Sequence, residues 1–186
     1  EIMTQEKESP SHKPVQSLRI EFGVKLVQAE IIEQLTENIK AIRKNILAEF
    51  GFSIPPIHIQ DNLRIEENQY VILIKEDTVS SSTLELGHRM IVNASQDELA
   101  DFEGIDCTEP AYGLPARWIP EAEIKAPLDK GFVVVEPLIV LTTHLTEVIR
   151  QNMAEILSMA AAEKYIEEAV ERSPKTLSDF IANKLG

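Results

Sequence analysis

This sequence predicts an α+β fold, and three observations carry the prediction. Residues 29–50 hold an apolar stripe at three- and four-residue steps, the mark of one amphipathic helix. Short β-branched runs (SLRIEFGV, IHI, QYVILIK and GFVVVE) mark strands on either side of it. A long helical run then opens at Pro137.

Residues 1–16 are polar, carry two prolines and show no periodicity, so they are expected to form a linker. The chain opens on Glu1 rather than Met, and a segment upstream is expected. SLRIEFGV (17–24) is the first strand. In the helix after it, Ile32, Leu35, Ile39, Ile42 and Ile46 line one face. Gly51 stands where a helix C-cap belongs, and Pro55–Pro56 block continuation. IHI (57–59) and QYVILIK (69–75) follow as strands across the turn-like DNLRIEEN, the second as a central strand. VSSSTLELGHRMIVN then suggests a hairpin. Residues 97–130 hold nine acids against three bases among many turn formers, and read as an inserted module. GFVVVE (131–136) returns to strand character. The helical run is expected to break near Ser158–Ala161, with Ser173–Pro174 capping a last helix.

Strand, helix, strand, strand, insertion, strand and helix suit a small sheet backed by helices on one face. The ferredoxin-like split βαβ is the nearest common plan. The organisation expected is a linker (1–16), a ferredoxin-like subdomain (17–78 and 131–136), an inserted acidic subdomain (79–130) and a helical subdomain (137–186).

Composition excludes several function classes. The 186 residues carry 18 basic and 31 acidic side chains, a formal charge of −13, which repels phosphate backbones. Aromatics make up only 5%, too few for a base-stacking platform, so no nucleic-acid partner is expected. No apolar run approaches the roughly 18–20 residues of a membrane span. The N-terminus lacks a signal-peptide core, so this stretch is expected in water. A single cysteine, Cys107, rules out an internal disulfide and a cysteine-based zinc cluster.

A search for chemistry finds little. His12, His58, His88 and His144 never pair at metal-ligand spacing, and no metal or cofactor is expected. His144 lies in TTHLTE, where Thr142 or Thr143 would be its nucleophile. Adjacent helix residues point about 100° apart, which makes proton sharing between Thr143 and His144 difficult. Local satisfaction of these groups at a packed interface is the simpler reading, with a small hydrolase using His144 and a nearby acid as the rival. Cys107 sits among Asp106, Glu103 and Glu109, which disfavour a thiolate. Glycine-rich phosphate loops and a GxSxG elbow are absent. TEPAYGLPARWIP (108–120) stands apart. Trp118 is expected as a core pin, and Tyr112, between Ala111 and Gly113, as a candidate anchor for a protein partner.

Three separated segments carry a family resemblance in register: IPPIHIQDN (54–62), EPAYGLPARWI (109–119) and VLTTHLTEVIR (140–150). They resemble the FlhA/SctV (FHIPEP) family, export-gate proteins of bacterial flagellar and virulence type III secretion systems. The middle segment is similar to the flagellar pattern (D/E)PA(F/Y)GL(P/D)AxWI, whereas Gln60 stands where many flagellar members have arginine. The resemblance implies a membrane half upstream, at the bacterial inner membrane, and a cytosolic half of which this chain is the front portion. It also implies a nonameric ring and a non-enzymatic role: docking export chaperone–substrate complexes and other export-apparatus proteins. The docking surface it implies is a hydrophobic dimple between the first two subdomains, and the matching positions here are Glu109, Tyr112 and Thr143. The virulence branch of the same family is the alternative, changing the cargo and keeping the mechanism.

Overall fold

The computed structural model describes residues 17–184, with side-chain surroundings through Arg172; the expected linker 1–16 lies outside this range. Strand β1 (Leu18–Phe22) alternates buried and half-buried residues, and a short helix α1 (Val24–Val27) follows it. Helix α2 (Ile31–Phe50) buries Ile31, Leu35, Ile39, Ile42 and Ile46, with Ile32 at the edge of the stripe. Gly51 ends it in the left-handed region at φ 74°, and its N–H donates to the Leu47 carbonyl.

Strand β2 (Ile57–Asp61) pairs in parallel with β1, aligning Ile20 with Ile59. Strand β3 (Gln69–Ile74) pairs antiparallel on the other side of β1, and β4 (Asp77–Thr83) antiparallel to β3. The sheet order is β2-β1-β3-β4, so QYVILIK is interior as its sequence predicts. The split of the expected βαβ plan is not present. A split crossover needs a strand between its two parallel members. Here β1 and β2 touch directly, because β3 takes the opposite side of β1.

The hairpin expected within 79–93 is also displaced. The true hairpin is β3–β4, turning through Lys75 and Glu76 at φ 49° and 68°. Two central residues with positive φ make the turn that suits strand twist, though Gly or Asn usually marks it and neither is present. After β4 the chain leaves this sheet, and β5 (His88–Val92) enters a second one.

The second sheet builds outward from β5. Helix α3 (Gln96–Leu99) starts at a reciprocal cap between Ser95 and Glu98. Strands β6 (Ile105–Glu109) and β7 (Leu114–Pro120) form a hairpin, α4 (Lys125–Asp129) follows, and β8 (Val133–Val135) closes the sheet in the order β6-β7-β5-β8. GFVVVE therefore does not return to the first sheet. It pairs with β5, Met90 opposite Val135. One face of this sheet sends Met90, Ala116 and the expected pin Trp118 into the main core shared with the first sheet and α2. The other face packs Ile91 and Ile119 on Leu99, Phe102 and Phe132, a smaller core of its own.

Helix α5 (Pro137–Gln151) begins with proline in its first turn and buries Val140, Leu141, Leu145, Val148 and Ile149. Helix α6 (Met153–Lys184) follows. The helical break falls at Asn152, where φ −109° and ψ 17° leave the helical region and the side-chain amide donates to the Val148 carbonyl. Ser158–Ala161, expected to break, is alanine-rich and stays helical. Ser173–Pro174 does not open a new helix either. The backbone stays helical through both residues.

Candidate functional site

The β6–β7 hairpin turns through Pro110, Ala111, Tyr112 and Gly113. Glu109 organises that turn. Its Oε1 accepts the Ala111 N–H and its Oε2 the Tyr112 N–H, each at 2.9 Å, while its own carbonyl accepts the Gly113 N–H at 2.9 Å. Gly113 sits at φ 71°, where a side chain would be strained. Glu109 is 8% exposed, whereas Tyr112 stands out from the turn at 64%. Leu114, at the start of β7, is half exposed beside it.

Facing this turn is the near side of α5, where Thr143 lies four residues on from Ile139 and three from Val140, the spacings that share a helix face. Val92, Asn93 and Val135 from the ends of β5 and β8 complete the walls. The result is an apolar cleft of about 230 Å³, lined by all three of Glu109, Tyr112 and Thr143. It lies between the second sheet and α5, so the helical run supplies one wall. Sequence reasoning missed Val92, Asn93, Leu114, Val135, Ile139 and Val140. The spacing of Ile139, Val140 and Thr143 was the available signal for the helical wall; the valines look like ordinary strand residues.

The far side of α5 is fixed by polar ties. His144 is 2% exposed, with the Tyr70 hydroxyl 2.5 Å from Nδ1 and the Ser80 hydroxyl 2.7 Å from Nε2. Burial holds the imidazole pKa below its ordinary value, against the pull of the Glu109 charge, and burial pushes the Tyr70 phenol upward. Asn38 on α2 donates to the Thr142 hydroxyl at 3.0 Å. The partners that satisfy His144 are thus long-range ones on β3 and β4, rather than its own threonines. The acid a hydrolase would need is missing from its hydrogen bonds among the described residues, and the Glu109 oxygens are taken by backbone amides.

Elsewhere, burial first and the Asp106 charge second push the Cys107 thiol up to about 11. Among the described residues, no group of three or more His, Cys, Asp or Glu is placed to hold a metal ion. No helix among them is long and apolar enough to cross a membrane.

A sequence profile of the FHIPEP family matches residues 1–186, the full length of the chain. The chain belongs to the FHIPEP family. By sequence it is similar to the flagellar biosynthesis protein FlhA of Caulobacter vibrioides, 36% identical over 90% of this chain and 24% of the relative. FlhA of Bacillus subtilis is 33% identical over 92% of this chain and 26% of the relative. The chain therefore spans about a quarter of the length of these relatives. Among solved structures, the Chlamydia pneumoniae CdsV protein superposes with a TM-score of 0.66 at 21% identity, over 89% of this chain and 54% of CdsV. Nonameric SctV-C from EPEC, seen by cryo-EM, has a TM-score of 0.50 at 18% identity, over 97% of this chain and 52% of that one. These likenesses are to the FHIPEP chain's fold, a mixed α/β arrangement of two sheets and helices.

Proposed function

We propose that this chain is a cytosolic portion of a flagellar-type export gate and that its apolar cleft docks chaperone–substrate complexes during type III protein export. The observation that carries the reading is the convergence of Glu109, Tyr112 and Thr143, from two elements far apart in sequence, on one apolar cleft. An exposed tyrosine over an apolar floor is the arrangement of a protein-binding anchor. The flagellar branch is favoured because the relatives by sequence are flagellar FlhA proteins. In the whole protein this portion sits on the cytoplasmic side of the inner membrane as one subunit of a homo-oligomeric ring, and the nonameric state of the similar SctV-C supports that assembly.

Tyr112→Ala tests the docking role. Removing one anchor costs about 2 kcal/mol, or about thirtyfold in affinity for a purified flagellar chaperone–substrate complex by titration calorimetry. The circular dichroism spectrum stays unchanged. Unchanged affinity with an unchanged spectrum would sink the docking site, and tighter binding of a virulence chaperone–cargo pair would move the chain to the other branch.

A further inference from the structure

The cleft opens where two strands part. Strand β5 pairs with β7 only as far as Ile91 opposite Arg117, and with β8 as far as Val92 opposite Val133. Asn93 is the next residue, and its backbone turns in the left-handed region at φ 57°. Asparagine enters that region at less cost than most side chains, so the turn suits this residue or glycine. Asn93 is exposed and lines the cleft, and among the described residues its side-chain amide makes no hydrogen bond.

The other polar groups of the cleft offer less. Glu109 is an acceptor only; two turn amides take part of its capacity and leave room for a donor from a partner. Tyr112 and Thr143 each bring a single hydroxyl. Among these side chains, Asn93 alone sets separate donor and acceptor atoms side by side. A main-chain peptide group carries the same pair, one N–H and one C=O. Burying it against apolar walls is costly unless both are answered.

We propose that Asn93 is a specificity-determining residue of the cleft: its side-chain amide pairs in both directions with a main-chain peptide group of the docked protein. The segment that docks is therefore one whose backbone is free at that point, an extended run or a helix end, and not the closed interior of a helix. The inference rests on reading the cleft as a docking site, and deepens that reading by naming which part of the partner is recognised beside Asn93.

Glycine at position 93 keeps the backbone turn and deletes the amide, which makes Asn93→Gly a clean probe. A purified flagellar chaperone–substrate complex binds this variant about tenfold more weakly by titration calorimetry. Asn93→Asp, which keeps an acceptor and loses both donors, binds about as weakly. Wild-type affinity in either variant overturns the proposal. The amide itself gives the decisive readout. In NMR spectra, the side-chain NH2 pair missing from Asn93→Gly identifies Asn93, and in the wild type it shifts and exchanges more slowly once the complex is bound. An unmoved pair overturns the proposal even where Asn93→Gly has weakened binding, because the residue then serves the turn alone. If Tyr112→Ala and Asn93→Gly both leave affinity unchanged, the docking reading fails as well. A loss in Tyr112→Ala alone keeps the docking site and removes Asn93 from it.

Discussion

The two walls of the cleft are built by different physics. The α5 wall belongs to the main core: Val140, Leu141, Leu145 and Val148 are buried against the first sheet and α2, and His144 and Thr142 tie the helix to β3, β4 and α2. The wall formed by the 110–113 turn hangs on one carboxylate and one glycine at the tip of a hairpin, with Tyr112 and Leu114 largely in solvent. Apolar packing distributes its support over many contacts, whereas a capped turn concentrates it in a few. One wall should therefore move only when the whole domain unfolds, and the other should be adjustable on its own.

The largest effect expected from that contrast is on the packed wall. Leu141, fully buried on α5, leaves a cavity when cut back, so Leu141→Ala costs about 3 kcal/mol of global stability by urea unfolding. A loss below about 1 kcal/mol would mean that α5 is not part of the cooperative core. Next comes His144→Ala, which strands the Tyr70 and Ser80 hydroxyls and costs about 2 kcal/mol. The same residue sets a pH signature. Because burial lowers its folded pKa below the ordinary 6.5, the unfolded chain binds the proton first as pH falls. The stability this contributes is present above that ordinary value and is lost as pH drops through it towards the folded value. Urea midpoints measured at descending pH should show this slope in the wild type and a shallower one in His144→Ala. The smallest effect belongs to the turn. Gly113→Ala, strained by positive φ, costs about 1 kcal/mol and raises exchange only around residues 110–114. Exchange rising equally along α5 would erase the contrast between the walls.

What could be read from the amino-acid order follows the range of the interactions involved. The α2 stripe, the Gly51 cap and the start of α5 at Pro137 are local, and the chain displays them directly. Strand partners are not local. Val133–Val135 carries β character without any mark of which sheet it joins, and only the folded chain sets Val135 beside Met90. Lys75–Glu76 turns without the residues that announce a turn, so the hairpin was sought one strand too late. The site divides in the same way. Tyr112 stood out between small turn residues, the family resemblance named Glu109 and Thr143, and the fold sets all three on one cleft. The apolar residues between them were invisible, because Val92 and Val135 become a wall only when two strand ends meet a helix.

Helix α6 has a mechanical consequence. Its early residues Met153, Ile156 and Met159 are buried, but Tyr165, Ile166 and Val170 farther along are exposed. At 1.5 Å per residue, its 32 residues reach about 48 Å, and the buried residues named here lie in its first two turns. A bend of about ten degrees just beyond Met159 would swing the end of the helix, about 38 Å on, by about 7 Å, while the cleft beside α5 stays almost still.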